Sequence, residues 1–351
     1  MTRLARVVVV QLLAVAAGIV VSALVLTTIG LSPSTSVETL LRGAFGSEFA
    51  LTQSVLKAVP LALCGLAVAL PLRMRLWNIG AEGQFLVGAI AATWFSLTVP
   101  GLPRALLLPL TLAVAMAAGA LWALLAAVPR AVWSVNEIIT TLLLNYIAIQ
   151  LLAYAVTGPL QGEESLNFPI SDFLPAGAAM PKLGDGQLHA GIFVPLTAAL
   201  VLAVLMRWSR WGYEVRMIGA GAPAARVLGM SSGVQIVAVL GVGGALAGVA
   251  GMIEVANTFG QLQQGISPGY GYMAIAIAAL AATSFAGTLV VAFLFGGFVV
   301  GGLALQTQGV PQAFVLMLQG IVLFAAIAGA RLAQRRETRR AVAIEEAPST
   351  L

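Results

Sequence analysis

Three short polar segments interrupt a chain otherwise built from apolar runs, and they are where chemistry is available. The first is Leu76-Trp77-Asn78-Ile79-Gly80-Ala81-Glu82-Gly83-Gln84-Phe85. The second, from Asn136 to Tyr146, sets Glu137, Thr141, Asn145 and then Ile149 at helical spacing, so three polar side chains share one stripe. The third is Gly265-Ile266-Ser267-Pro268-Gly269-Tyr270-Gly271-Tyr272-Met273, with Glu254 and Asn257 shortly before it. Amides and phenols hydrogen-bond neutral polar solutes, and a tyrosine ring stacks on flat ones. Carboxylates in apolar surroundings serve as proton or ion relays. Asn78, Glu82, Gln84, Asn145, Glu254, Asn257 and Tyr272 are therefore the candidate solute-pathway residues.

Each segment also has a plainer explanation. The glycines at 80 and 83 permit a break at which a helix begins, or an ordinary turn in which Glu82 favours the positive helix start. The Glu137 stripe serves interhelical hydrogen bonding as well as it serves a solute. The two tyrosines belong either to an interfacial aromatic belt, the simpler reading, or to a ring-stacking surface.

Other chemistries are excluded. A phosphate-cradling loop needs glycines followed by Lys and then Ser or Thr, but Lys57 precedes Ala58 and Lys182 precedes Leu183. Any ATPase must then be a separate chain. His189 is the single histidine, expected to be solvated in a loop, which rules out a multi-histidine metal site and argues against a Ser-His-Asp triad. Cys64 is the single cysteine, so no intramolecular disulfide or thiolate cluster forms. The chain reads as no enzyme, with no cofactor and no metal.

The elements that must position these residues are membrane helices. Apolar residues make up 60% of the 351-residue chain and charged ones 9%, against roughly 45–50% and about 25% in soluble domains. A crossing takes roughly 20 apolar residues, which predicts ten spans at about 7–29, 52–71, 81–99, 105–127, 137–156, 191–207, 234–254, 271–286, 289–308 and 311–330. The expectation is an all-α polytopic membrane protein with a permease domain over 1–334 and a cytoplasmic polar tail over 335–351. With the amino terminus inside, every Lys and Arg except Arg42, Lys57, Arg104 and Lys182 falls on the inner side, which predicts that both termini are cytoplasmic. The formal charge of +5 thus reads as topology and contact with membrane lipid, with no nucleic-acid surface.

The runs Gly83-Gln84-Phe85-Leu86-Val87-Gly88 and Gly271-Tyr272-Met273-Ala274-Ile275-Ala276 both pass from a Gly-rich entry into a small-residue helix. They open the third and eighth spans, an odd offset, which is consistent with inverted five-helix repeats whose interrupted helices meet near the midplane. Gly244 with Gly248, and Gly297 with Gly301, predict close helix packing. The polar loop at about 211–230 carries Pro223, suited to the first turn of a short helix that Gly229 stops. Such a loop fits either partner docking or an interfacial helix lying on lipid.

Taken together, Asn78-Ile79-Gly80-Ala81-Glu82-Gly83-Gln84, Asn136-Glu137-Ile138-Ile139 with Leu144-Asn145-Tyr146, and the loop from Gly212 to Gly229 resemble a known family. It is the permeases of the ribose and branched-chain amino-acid type of ABC importers, and within it the nucleoside and simple-sugar permeases served by a basic-membrane-protein lipoprotein. The resemblance runs from about residue 50 to residue 330. It implies a permease subunit of the bacterial cytoplasmic (inner) membrane, translocating nucleosides or related sugars by alternating access. It further implies a cytoplasmic ABC ATPase that uses ATP and Mg, a second homologous permease in a heterodimer, and an extracytoplasmic substrate-binding lipoprotein. The loop becomes the ATPase-coupling element, with Gly212, Glu214, Arg216, Gly219, Ala224, Ala225 and Gly229 as coupling residues. One departure is Gly219-Ala220-Gly221-Ala222-Pro223, where relatives often carry Asn. Two alternatives stand beside this reading: an ion-coupled secondary transporter using Glu82, Glu137 or Glu254, and an ABC permease for branched-chain amino acids.

Overall fold

A computed structural model of the chain describes residues 32–163 and 165–318, with scattered positions between 13 and 27 and between 320 and 329. The expected first span lies largely outside the described residues, the tenth is described only in part, and the tail over 335–351 lies wholly outside them. The described residues form helices α1 Pro33–Phe45, α2 Glu48–Leu72, α3 Ala81–Thr98, α4 Arg104–Trp133, α5 Glu137–Thr157 and α6 Phe193–Trp208. They continue with α7 Arg210–Ala220, α8 Ala222–Val227, α9 Ser232–Ile253, α10 Tyr270–Leu280 and α11 Phe285–Thr307. Six described helices are long and apolar enough to cross a membrane. The chain is an all-α polytopic membrane protein.

Two elements depart from the expected pattern. Helix α1 was not anticipated; Ser32 caps it by accepting from the Thr35 amide at 3.2 Å, and Pro33 opens its first turn. The expected eighth span, 271–286, is not one continuous helix. Its 11-residue helix α10 is about 17 Å long at 1.5 Å per residue, short of a core of about 30 Å. The chain leaves α10 through Ala282 and Thr283, both left-handed at φ 48° and 62°, and α11 starts at Phe285. A window of helix length does not resolve this turn, because Ala-Ala-Thr-Ser is short and carries no charge, glycine or proline.

The chain divides into two compact units, residues 1–54 with 297–351, and residues 55–296. In the first, Leu305, Val310, Val315 and Leu318 form a core joined by Val25, Leu40 and Phe314. Gly297 lies under the Phe45 ring and Gly301 against the Leu40 carbonyl. In the second, α9 packs on α3 and α4, and α3 also packs on α4 and α5. A Cβ on Gly244 would overlap the Gly119 carbonyl and one on Gly248 the Ala115 carbonyl, so these glycines let α9 and α4 approach backbone to backbone.

The second unit is inverted relative to a water-soluble domain. Along α5, Glu137, Thr141 and Asn145 are buried, while Leu143, Tyr146 and Ile147 are 57%, 60% and 50% exposed. Polar side chains inside and apolar ones outside is the arrangement a hydrocarbon solvent demands. The buried stripe continues through Ala148 and Leu152, not through the expected Ile149. Steps of four residues overrun a 3.6-residue turn, so a step of three is needed to stay on one face.

Candidate functional site

The first polar segment is a true break. After α2 ends, Arg75 takes a left-handed conformation at φ 61° and residues 76–78 run without helical bonding before α3 begins at Ala81. The Asn78 side chain, fully buried, donates to the Ala67 carbonyl at 3.1 Å and to Gln84 Oε1 at 2.9 Å. Gln84 Nε2 donates back to Asn78 Oδ1 at 2.9 Å. Asn145 on α5 accepts from the Gly83 amide at 2.8 Å and donates to the Ile79 carbonyl at 2.8 Å. Asn78 and Gln84 therefore satisfy each other, with Asn78 also tied to the α2 backbone, while Asn145 satisfies the backbone of the break. An ordinary solvated turn does not describe it.

The break aims one helix start at another. Glu82 Oε2 accepts from the Gly271 amide at 2.7 Å, and a Cβ on Gly271 would overlap the Glu82 amide nitrogen. Two positive helix ends thus converge, and a buried carboxylate lies between them. Glu82 serves the start of α10 rather than only that of its own helix. Tyr272, part-buried, lies beside Glu82 and Asn145.

A charge centre sits next to this junction. Glu254 stands where α9 passes into a single π-helical stretch, Glu254–Phe259, a distortion common at functional sites. It is 1% exposed and pairs with Lys57 Nζ at 2.7 Å. It also accepts from the Tyr270 hydroxyl at 3.1 Å and from Thr258 Oγ1 at 3.0 Å. The Lys57 ammonium lies 5.4 Å from the Phe259 ring centroid and 5.9 Å from that of Tyr270. Tyr270 is wholly buried, edge-on to Phe85 at 5.8 Å, so it belongs to no interfacial belt. The sequence reading missed Tyr270 as a site residue and took Lys57 only as a marker of topology. The partners that give Lys57 its place, Glu254, Phe259 and Tyr270, all lie about 200 residues along the chain, so no local signal marks it.

The remaining candidates are structurally committed. Glu137 pairs with Arg130 at 3.1 Å. Asn257 accepts from the Met180 amide at 3.1 Å and donates to the Met180 carbonyl at 3.2 Å, pinning the loop over residues 158–192. That loop is further tied by the Ser171 amide to the Leu262 carbonyl and the Leu174 amide to the Gly260 carbonyl, each at 2.8 Å. His189, expected on the surface, is buried; its Nδ1 accepts from the Gly191 amide at 3.1 Å, and burial lowers its pKa from 6.5.

The loop at 211–230 folds as α7 and α8. Gly212 packs on the Leu205 and Met206 backbone, and a Cβ on Gly219 would overlap the Arg73 carbonyl at the end of α2. Glu214 pairs with Arg210 at 3.0 Å and accepts from Gln235 of α9 at 2.6 Å. Ala225 is fully buried. Gly212, Gly219 and Ala225 therefore face the protein body. Arg216, Ala224, Val227, Leu228 and Gly229 face outward, with Val227 88% and Leu228 62% exposed.

Arg73 closes the picture. Its Nη2 donates to the Thr283 carbonyl at 2.7 Å and its guanidinium lies 4.2 Å from the Phe285 ring centroid. Burial, and then the like charge of Arg216, lowers its pKa from the ordinary value, although a guanidinium stays protonated.

Interrupted helices meeting start to start, buried polar clusters inside and apolar faces outside are the features of a multi-pass membrane transport protein. The chain belongs to the family described as branched-chain amino acid transport system / permease component, which matches residues 50–327. It is 38% identical to a glucose ABC transporter permease protein of Haloferax volcanii, over 89% of this chain and 84% of that one. It is 34% identical to a guanosine ABC transporter permease protein of Bacillus subtilis, over 90% of this chain and 92% of the relative. A nucleoside ABC transporter permease protein of Lactococcus lactis is 28% identical over 91% of this chain and 90% of its own length. No solved structure matches the chain.

Proposed function

We propose that the chain is the membrane-spanning permease subunit of an ABC importer for nucleosides or related simple sugars, driven by ATP hydrolysis on a separate subunit. The observation that carries the motor-driven reading is the α7–α8 pair, which presents bare Val227 and Leu228 on a short helix fixed to the protein body through Gly212, Gly219 and Ala225. An apolar pair so exposed on a rigid base fits a protein groove. The substrate class follows from the guanosine, nucleoside and glucose permeases that match along nearly the whole chain.

In this reading, α7 and α8 dock on the ATPase, a homologous permease completes the pathway as a heterodimer, and a lipoprotein delivers solute from outside. Both termini are cytoplasmic, and the fold is a pair of inverted five-helix repeats making ten crossings, of which α10 with the irregular residues before it makes one. The meeting of α3 and α10 at their starts supports that symmetry. Solute passes the junction formed by Glu82, Tyr272, Lys57 and Glu254, while Asn78, Gln84, Asn145 and Asn257 hold its walls. The ion-coupled alternative is disfavoured because Glu137 and Glu254 are paired with Arg130 and Lys57.

The test is uptake into proteoliposomes holding the chain with its ATPase, second permease and binding lipoprotein. ATP-dependent guanosine uptake, competed by other nucleosides and not by leucine, is the expected result. Uptake of leucine in place of guanosine or glucose would establish the branched-chain amino-acid alternative instead.

A further inference from the structure

Helix α10 is held at both ends by polar contacts, buried at its start and part-buried just past its end. At its start, the Gly271 amide donates to Glu82 at 2.7 Å and the Tyr270 hydroxyl donates to Glu254 at 3.1 Å. At its end, the chain turns through Ala282 and Thr283, two non-glycine residues in the left-handed region, and a β-branched residue there is strained. The Thr283 amide returns to the Ala278 carbonyl at 3.2 Å, which leaves the Thr283 carbonyl facing out of the turn. Arg73 Nη2 donates to that carbonyl at 2.7 Å, and the planar guanidinium lies over the ring of buried Phe285, the first residue of α11. A cation at a helix carboxyl end is also favoured by the helix dipole.

The same residue is the contact point of α7. Gly219 packs so tightly on the Arg73 carbonyl that no Cβ fits between them. Arg73 therefore touches the docking segment with its backbone and the half-helix with its side chain. No other described contact between α7 and the α10 turn is needed to join them: a displacement of α7 moves Arg73, and Arg73 moves the end of α10, whose start holds the Glu82 and Glu254 contacts.

We infer that Arg73 is the positioning residue that transmits motion of the α7–α8 segment to the half-helix α10, and so couples the motor to the solute junction. This rests on the permease reading above. Lysine supplies the charge and N–H donors from a single nitrogen, but neither the planar stacking surface nor the fork, so it restores only part of the link.

The experiment measures guanosine taken up and ATP hydrolysed together, in proteoliposomes holding the complete importer. With Arg73→Gln, ATP hydrolysis continues while uptake per ATP falls about fivefold or more, the lower end of typical coupling between sites. Arg73→Lys gives an intermediate ratio. Phe285→Leu, which keeps the apolar volume and loses the ring face, lowers the ratio in the same direction and serves as the deciding variant where Arg73→Gln fails to reach the membrane. Uptake and hydrolysis that fall in proportion, or an unchanged ratio in Phe285→Leu where Arg73→Gln does not insert, overturn the inference. A wild-type importer that moves neither guanosine nor glucose on ATP instead overturns the permease reading and takes this inference with it.

Discussion

The amide knot of Asn78, Gln84 and Asn145 and the charge centre of Lys57, Glu254 and Tyr270 bury polar groups in opposite ways. In the knot, neutral donors and acceptors match each other and the backbone of a broken helix, with pairs at 2.8–3.1 Å. Such a set gains from a low-dielectric setting and has no reason to open. In the centre, a carboxylate and an ammonium are both desolvated, and attraction offsets that cost only while the pair is intact. The lesson is that a polar residue in an apolar run identifies burial but not role. What separates a wall from a working part is whether the partner set is neutral and closed, or charged and dependent on one contact.

Removing one charge should be the most damaging way to probe this difference. Lys57→Met leaves Glu254 buried without its counter-ion and is expected to destabilise the chain by about 3–5 kcal/mol. Pairing it with Glu254→Gln should recover most of that loss, read as the melting temperature of the detergent-solubilised protein. A double variant no more stable than Lys57→Met alone would remove the charge centre from the account.

The knot should respond more mildly. Asn78→Leu leaves the Gln84 amide unsatisfied and is expected to cost about 1–3 kcal/mol. Changing Gln84 to Leu as well should add less than its separate cost, because the two side chains bond mainly to each other. Strict additivity in the same melting experiment would mean that they do not act as a unit.

Asn257→Ala tests a smaller commitment outside both clusters. It removes the two bonds to Met180, and the expected result is faster proteolysis within residues 158–192 with the helices left intact. Cleavage at the wild-type rate would contradict the pinning role.

The least effect belongs to pH. His189 is buried with its pKa lowered, so the unfolded loop takes up a proton more readily than the folded one. Loop stability is then full above about pH 6.5 and is lost as pH falls through the lowered folded value. Limited proteolysis across that range should show protection fading on the acid side, and His189→Asn should flatten the dependence.

Much of this architecture was readable from residue patterns. Apolar length gave the helices over 48–72, 104–133 and 137–157 within a few residues, and Gly80 and Gly83 gave the break that starts α3 at Ala81. The matching Gly-rich entries at 83 and 271 anticipated that α3 and α10 open alike, and their starts do meet. What stayed hidden depends on distance across the fold. Nothing local distinguishes Lys57 from an ordinary helix cation until Glu254, far along the chain, is brought beside it. The shortness of α10 was masked because Ala281 to Ser284 form a turn from residues that also suit a helix. The small size of Gly219 and Ala225 serves close packing against the end of α2 and the protein body, a contact that spacing within the loop does not reveal.

The central claim, transport driven by a docked motor, is tested most directly by comparing two energy sources. Proteoliposomes holding this permease pair alone are given a sodium or proton gradient, and matched ones are given the ATPase, the binding lipoprotein and ATP. The account predicts guanosine accumulation only in the second, abolished by Val227→Asp with Leu228→Asp. Accumulation driven by the ion gradient without any ATPase would contradict it.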